Sequence, residues 1–261
     1  MSIAVQSHVS VARSAGSQRF YVRMAAACVA VAFVGFAPTY WIPLLRGTLD
    51  VAPITHVHAL FFYGWTLLFL RQTWLAANGE VRRHQALGVA GVALATGMCF
   101  VGVAMAVNSL RESEAAGFGA AARAFSIVPL TAAPLFAALF TAALLNLRKL
   151  EVHKRLMLVA TVSLLQAAVG RWFLLFLAPP RPPGATGPVS PPPVFVTVLP
   201  GLMVDLLIVA AMIHDRRTTG RVSPVYWIAG ACVVAVQILR VPLSTTAAWT
   251  GVTNGLLRLF P

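Results

Sequence analysis

The chain has 261 residues, of which 59% are hydrophobic and only 10% are charged, and its mean hydropathy is +0.80. This composition excludes an ordinary water-soluble domain and predicts an integral membrane protein. The formal net charge of +13 comes without a basic stripe interleaved with aromatic residues, so nucleic-acid binding is not expected. We assign the charge to membrane topology and to attraction for anionic lipid headgroups on the cytoplasmic side.

Seven apolar runs are long enough to cross the roughly 30 Å hydrocarbon core, which takes about 20 helical residues. They cover residues 22–44, 55–77, 86–108, 124–147, 156–178, 194–213 and 225–247. The sequence therefore predicts an all-α, polytopic transmembrane helix bundle forming one domain, residues 22–247. We expect a cytoplasmic N-terminal segment, residues 1–21, and an extracytoplasmic C-terminal tail, residues 248–261. A Pro-rich connection, residues 179–193, precedes the sixth run.

Lys and Arg residues concentrate at alternate loops, and such residues are retained on the cytoplasmic side. One side holds Arg13, Arg19, Arg23, Arg82, Arg83, Arg148, Lys149, Lys154, Arg155, Arg216, Arg217 and Arg221. The other side holds only Arg46, Arg111, Arg123, Arg181 and Arg258. The N-terminus is therefore expected inside and the C-terminus outside. The preference for Arg and Ala over Lys indicates a bacterial inner membrane, and self-association into a homo-oligomer is left open.

Small residues and prolines indicate how some spans pack. The third span is rich in Gly and Ala, which predicts a central helix that its neighbours approach closely. The pair Pro200 and Gly201 predicts an interrupted helix in the middle of the sixth span. Further kinks are expected at Pro129, Pro134 and Pro242 because proline removes a helical hydrogen bond.

The second span carries a polar stripe. His58, Trp65 and Gln72 are spaced by seven residues, so one helix face runs through all three and should face protein. His56 lies about 200° around the helix from His58, so the two cannot chelate one ion while both are helical. We expect His56 at the membrane interface near Tyr40.

Charged residues also fall in the outer half of three later spans. Arg171 and Arg240 should lie roughly 10 Å below the outer surface, and Asp205 roughly 16 Å below it. Because an isolated charge in lipid needs a partner, we predict one outer-half cluster. Its members are His58, Arg171, Asp205, Arg240, Gln166 and Gln237, with Gln72 on the same stripe as His58. One acid facing two arginines leaves surplus positive charge, which suits an anionic ligand. Alternatively, each arginine extends to the headgroups and Asp205 is protonated or only ties helices together.

Other histidines lie at the inner side. His84 follows Glu80-Val81 and His153 follows Glu151-Val152, which suggests a weak internal repeat of two helix-loop-helix units. His214 is expected in a loop. Cys28, Cys99 and Cys232 fall inside spans and indicate neither a disulfide framework nor a metal cluster.

Three segments carry a resemblance to a known family: residues 56–72 (HVHALFFYGWTLLFLRQ), 84–88 (HQALG) and 153–161 (HKRLMLVAT). Together they resemble bacterial multi-span proteins described only as predicted membrane proteins of unknown function. The likeness covers residues 20–175 and implies an architecture but no activity. Gln85 departs from the family, in which many relatives would have Arg at this position.

A looser similarity is to membrane cytochromes of the b type, in which histidines on different transmembrane helices ligate haem iron from both faces. This resemblance implies haem b held by His84 and His153, with Arg83 and Arg155 available for its propionates. His58 is a secondary candidate, without a second histidine at its depth.

Three functions remain open on the sequence. The leading one is a haem- or metal-binding membrane redox protein that uses interior histidines. The second is a small-molecule or proton transporter or sensor that uses the outer-half cluster. The third is a non-catalytic membrane scaffold or assembly factor. A non-enzyme is favoured because the sequence has no G-x-S-x-G, H-E-x-x-H, P-loop or G-x-G-x-x-G motif.

Overall fold

A computed structural model describes residues 2–177 and 189–260, with side chains described for residues 18–176 and 189–260. Most of the predicted Pro-rich connection, with Arg181, lies outside the described residues, as do the side chains of residues 1–17 in the N-terminal segment. Throughout the described ranges the regular structure is helical and contains no strand.

Helix α1 covers Ser2–Phe36 and continues through a π-helical turn, Ala37–Trp41, into α2, Ile42–Leu45. The next helices are α3 (Pro53–Ala77), α4 (Val81–Ala115), α5 (Gly119–Leu145), α6 (Leu150–Ser163) and α7 (Gln166–Leu177). After a 3₁₀ turn, Val194–Thr197, follow α8 (Val198–Thr219), α9 (Pro224–Leu243) and α10 (Ala247–Leu259).

Seven segments of the described chain are long and apolar enough to cross a membrane: Gln18–Leu45, Pro53–Ala77, Val81–Ala115, Gly119–Leu145, Leu150–Phe176, Val194–Thr219 and Pro224–Leu243. The predicted all-α bundle of seven spans is confirmed, with several ends a few residues longer. Large apolar side chains on these segments, such as Leu60, Phe100 and Ile228, are more than two-thirds exposed, as expected for helices in contact with lipid.

Local sequence sets the helix ends. Proline occupies the first turn of both α3 and α9, where its missing N–H leaves no bond unmade. The side chain of Ser223 caps α9 by accepting a hydrogen bond from the backbone N–H of Val225. Gly79 and Gly220 end α3 and α8 with φ of 73° and 79°, a left-handed conformation that glycine adopts without strain.

The helices pack in a simple order. Helices α3, α4, α5 and α6 are sequential neighbours, and α1 packs against α3 and α7. Helix α8 packs against α6, α7 and α9, and α9 also contacts α5 and α6. We call the end of the bundle with the α3–α4, α5–α6 and α8–α9 connections the basic end, after its Lys and Arg residues. Which end faces the cytoplasm stays a prediction.

The central helix is α6, not α4. Within the fifth span 44% of the most apolar residues are buried, against 22% in the third span, and residues 158–162 of α6 are fully buried. The prediction of a central third span was wrong because its small residues serve contact with α3 on one side only. A methyl group at Gly97 would lie 2.2 Å from the ring of Phe61, while Phe100 is 74% exposed.

The helix breaks also differ from the prediction. Pro200 lies in the first turn of α8, which is regular through Asp205, so the expected interruption beside Asp205 is absent. Pro129 and Pro134 lie inside the continuous helix α5. The fifth span is the one that breaks, between α6 and α7. There the N–H groups of Leu164 and Leu165 donate to carbonyls three residues earlier, at 3.2 and 3.0 Å.

The predicted C-terminal tail is largely helical. Helix α10 packs against α4 and α5, and Thr253 within it is fully buried. The indole Nε1 of Trp249 donates a hydrogen bond to the carbonyl oxygen of Arg123, at 2.8 Å. These contacts fix α10 against the end of the bundle opposite the basic end.

Candidate functional site among the buried polar residues

A buried arginine connects three helices and the turn before α8. Arg240 on α9 is 2% exposed; its Nε donates to Oγ1 of Thr131 at 2.7 Å and its Nη1 to Oε1 of Gln166 at 2.8 Å. The amide of Gln166 in turn donates to the carbonyl oxygen of Thr197 at 2.7 Å. We call Arg240, Thr131, Gln166 and Thr197 the Arg240 network. No carboxylate of the described residues forms an ion pair with its guanidinium.

A buried acid lies beside a buried amide. Asp205 on α8 is 7% exposed and Gln237 on α9 is 4% exposed, and the two side chains interact. Three buried oxygens have no hydrogen-bond partner in the part of the chain that is described. They are the two carboxyl oxygens of Asp205 and the Oε1 of Gln237. We call Asp205 and Gln237 the acceptor pair.

Gly201 makes room for this pair. A methyl group at Gly201 would lie 2.8 Å from both Cδ and Oε1 of Gln237, closer than real side chains approach. The backbone of α8, one turn before Asp205, therefore touches the Gln237 amide directly. The close approach of the Gln237 side-chain amide to the α8 backbone, rather than a helix break, accounts for the glycine at this position.

The single cluster predicted from the sequence is divided into separate groups. Arg240 is with Gln166, and Asp205 is with Gln237, but no ion pair among the described residues joins Asp205 to an arginine. Gln237 precedes Arg240 by three residues, so the two lie about one turn apart on α9. The expectation of one acid facing two arginines is thus not met.

His58 and Arg171 form a third group away from the other two. The His58 ring stacks on Phe62 with centroids 4.1 Å apart, and its Nδ1 is buried without a partner among the described residues. Arg171 interacts electrostatically with His58, and its guanidinium lies 5.6 Å from the Phe36 ring. Because Arg171 is exposed, its position fits an arginine that extends to the headgroups.

The predicted stripe on the second span faces protein at Trp65. This indole is 2% exposed, donates from Nε1 to Oγ1 of Thr161 at 3.2 Å, and meets the rings of Phe136 and Phe140 edge-on. Gln72, lower on the stripe, donates from Nε2 to the carbonyl oxygen of His84 at 3.1 Å. Gln72 therefore belongs to the basic end and not to the Arg240 network.

His84 and His153 are held in the same way. Nδ1 of His84 contacts the carbonyl oxygen of Gln72 at 3.2 Å, and Nδ1 of His153 contacts that of Ala143 at 2.9 Å. A carbonyl can only accept, so in each neutral ring Nδ1 carries the proton and Nε2 keeps its lone pair. The two imidazoles lie on α4 and α6, which both pack against α5, and are close enough to interact electrostatically. We call them the imidazole pair.

The surroundings fit haem ligation only in part. The fixed Nδ1–H groups are the second contacts that metal-bound histidines usually have. Arg83 and Arg155, the cations expected near haem propionates, are instead in ion pairs with Glu80 and Asp215. No group of three or more His, Cys, Asp or Glu residues able to hold a metal ion occurs in the described chain. Haem ligation by the imidazole pair therefore stays a prediction.

Of the histidines whose side chains are described, His56 and His214 gave opposite outcomes. His56 is exposed and its Nδ1 lies 3.0 Å from the hydroxyl of Tyr40, as expected from the sequence, while its place at the membrane interface stays a prediction. The loop position predicted for His214 was wrong, because α8 continues through it to Thr219. The ring of His214 stacks on Phe20 with centroids 3.8 Å apart.

The sequence reasoning missed an ion pair at the basic end. Arg155, 6% exposed, donates from Nε and Nη2 to the two carboxyl oxygens of Asp215, both at 2.9 Å. Asp215, 2% exposed, also accepts from the backbone N–H of Ser223 at 3.2 Å, and Arg155 pairs with Glu151 as well. We call these four residues the basic-end clamp. The spacing of Asp205, Ile208, Ala211 and Asp215 continues one helix face, a signal that could have predicted the burial of Asp215.

No family model, curated protein or solved structure matches the chain. The resemblance to predicted membrane proteins of unknown function therefore stays a prediction based on its motif residues. Function has to follow from the buried polar residues and their contacts.

Proposed function

We propose that the protein is a membrane transporter or sensor that binds a small anionic molecule at the Arg240 network. The observation that supports it is the buried Arg240 guanidinium, whose described partners are neutral hydroxyl and amide oxygens. A cation buried in a low-dielectric interior without a counter-charge is costly. An anionic ligand would supply that counter-charge.

The chemistry of the network indicates which anions would suit it. A guanidinium presents N–H donors in a planar fork that matches carboxylates and phosphates. The Thr131 hydroxyl donates to the carbonyl oxygen of Ile127 at 2.6 Å and accepts from Arg240, so it orients the guanidinium. We therefore favour a small molecule with a carboxylate or phosphate group over a neutral solute.

Ligand binding can be tested by thermal unfolding of detergent-purified protein with acetate, succinate or inorganic phosphate. Binding at a concentration of about 100 times the Kd would stabilise the folded state by roughly 2.7 kcal/mol. We expect at least one probe to raise the melting temperature of the wild type and not that of Arg240→Gln. The matched control is Arg71→Gln, because Arg71 is exposed and lies over the Trp74 ring at 4.5 Å.

Two outcomes would contradict the proposal. One is that no probe stabilises the wild type, and the other is that a stabilising probe acts equally on Arg240→Gln. If Arg240→Gln does not fold, Arg240→Lys is the alternative variant. It keeps the positive charge but loses the planar set of guanidinium donors, so the probe should raise its melting temperature less than that of the wild type. Substitutions that only lower the melting temperature, with no probe response in the wild type, would favour the scaffold hypothesis. Uptake of the probe into proteoliposomes separates a transporter from a sensor.

A second candidate is a membrane redox protein that holds haem b between the imidazole pair. It is supported by the anchoring of both Nδ1 atoms to carbonyl oxygens, which leaves each Nε2 lone pair available for iron. Bound haem would supply one-electron chemistry, while His84 and His153 would hold and orient it.

The absorption spectrum of purified protein tests this candidate. A Soret band that is lost in His84→Ala and in His153→Ala, and kept in the exposed control His56→Ala, is the expected result. Protein that carries neither haem nor stoichiometric metal after expression with haem precursor would rule the candidate out.

The charge asymmetry supports a bacterial inner membrane with the basic end in the cytoplasm. Single cysteines introduced as Arg148→Cys, at the basic end, and Asp50→Cys, at the other, test the orientation in whole cells. A membrane-impermeant maleimide should label only Asp50→Cys. Labelling of Arg148→Cys alone would reverse the topology.

A further inference from the structure

We propose that Asp205 binds an exchangeable proton, which its carboxyl group donates to the Oε1 of Gln237. This inference deepens the proposed transporter or sensor function by adding a proton as a second ligand. The role of that proton rests on the proposed function. It concerns the acceptor pair and not the Arg240 network, so each can fail while the other stands.

The first argument is the set of unpartnered atoms. Both carboxyl oxygens of Asp205 and the Oε1 of Gln237 are buried, and none has a hydrogen-bond partner among the described residues. An ionised carboxylate and an amide oxygen can only accept. The Gln237 Nε2 could donate to the carboxylate instead, but neither carboxyl oxygen has a hydrogen-bond partner among the described residues. A protonated carboxyl has one O–H donor. Donation to Oε1 satisfies both groups and removes the charge.

The second argument is the charge around Asp205. Helix α8 packs against α1, α6, α7, α9 and the turn before it. On α9 the nearest cation is Arg240, which donates to Thr131 and Gln166 and forms no ion pair with Asp205. On α7 the cation is the exposed Arg171.

Apart from the buried thiol of Cys28 on α1, the described charged and titratable side chains of α1 and α6 lie at the basic end. Tyr21 on α1 bonds to Tyr226, and Arg155 and Glu151 on α6 belong to the basic-end clamp. The clamp is ten residues from Asp205 along α8, roughly 15 Å away. No described cation therefore neutralises a carboxylate at Asp205, and a buried carboxyl without a counter-charge is neutralised by a proton.

The third argument favours a proton over a metal cation. Hard cations take about six or more oxygen ligands, whereas the acceptor pair offers three side-chain oxygens. The backbone of α8 is helical through Asp205, so its carbonyls there are engaged in the helix. A proton needs only a single acceptor. Buried carboxylic acids of this kind are typical of proton relays in membrane proteins.

Infrared difference spectroscopy of the purified protein tests the inference. The chain has only seven acidic residues, so the carboxylic-acid band of one buried group can be assigned. We expect an acid band at neutral pH that is missing in Asp205→Asn and that disappears reversibly as the pH is raised. The band should be independent of sodium concentration at constant pH.

A pair of glycine variants tests the partnership with Gln237. Gly201→Ala pushes the Gln237 amide away without removing a polar group, so the band should shift. The matched control is Gly230→Ala on α9, whose new methyl group would meet Ile208 at an ordinary 3.7 Å and should leave the band in place. Gln237→Leu removes the acceptor and should shift the band further.

Each contrary result has one meaning. The absence of a band that depends on Asp205 overturns proton binding, and persistence at every pH at which the protein stays folded overturns exchange. Loss of the band on adding sodium at fixed pH replaces the proton by a metal cation. Equal spectra for Gly201→Ala and Gly230→Ala overturn the role of Gln237. A normal band in a protein that binds no anionic probe leaves this inference standing and contradicts only the proposed function.

Discussion

Helix α8 buries two aspartates, ten residues apart, in different surroundings. Asp215 receives two hydrogen bonds from Arg155 and one from the backbone of Ser223. Asp205 receives none from the described residues. The contacts of Asp215 explain its burial, because they tie α6 to α8 and to the start of α9. Packing alone does not explain a buried Asp205, and an unsatisfied acid in a membrane interior is expected to have a ligand.

The two buried arginines repeat the contrast. Arg155 at the basic end faces two carboxylates, from Asp215 and Glu151. Arg240 in the opposite half has only neutral partners among the described residues. The buried charges at the basic end are therefore paired, whereas Asp205 and Arg240 in the other half form no ion pair with each other. The proposed anion site and the proposed proton site both fall in the half that holds these two buried groups, whereas the imidazole pair lies at the basic end.

The largest effect should come from breaking the complete ion pair. Asp215→Asn leaves Arg155 buried without its bidentate partner, and such losses cost about 3–5 kcal/mol. We expect this decrease in the free energy of unfolding in mixed detergent micelles. The control Glu80→Gln removes a solvent-exposed pair with Arg83 and should have no measurable effect. Equal effects of the two variants would contradict a structural role for Asp215.

An intermediate effect is expected where α8 touches α9. Gly201→Ala places a methyl group 2.8 Å from the Gln237 amide, and overpacking of this kind costs about 1–3 kcal/mol. Gly230→Ala in the same helix pair meets its nearest neighbour at 3.7 Å and should be neutral. The same unfolding assay compares them. A neutral Gly201→Ala would show that the contact at Gln237 can relax freely.

The smallest effect is expected at the unpaired acid. Asp205→Asn replaces a neutral carboxyl by a neutral amide of similar shape, whose N–H can donate to Gln237 Oε1. The free energy of unfolding should change by less than about 1 kcal/mol, the usual net contribution of one hydrogen bond. If Asp205→Asn lowered the free energy of unfolding as much as Asp215→Asn, this prediction would be contradicted. Asp205 would then have to be ionised and paired, like Asp215.

The sequence predicted the parts of this molecule that depend on composition and on distance along a helix. Seven spans follow from the lengths of apolar runs, and the interfacial His56 follows from its angle to His58 and its depth. Depth alone could not assign partners, because the rise per residue says nothing about helix rotation or neighbours. Asp205 and Arg240 lie on adjacent helices, yet Asp205 lies beside the Gln237 amide and Arg240 donates to the Gln166 amide.

The basic-end clamp was missed for a related reason. A span boundary placed where polar residues begin, at residue 213, put Asp215 in a loop, whereas α8 runs to Thr219. The break in the fifth span falls at Leu164 and Leu165, where the sequence has no Pro or Gly from which a break could be predicted. Such features depend on tertiary contacts and are read only from a folded structure.

Just beyond the break in the fifth span, α7 packs closely against α1 at Gly35. A methyl group there would lie 2.5 Å from the Cβ of Ala168 on α7, so the two backbones lie in direct contact just beyond the break. Two helices that meet this closely must move together or separate completely. A passage that opens toward the acceptor pair from this end of the bundle should therefore not run between α1 and α7. The first span and the outer part of the fifth would then form a fixed wall of that passage.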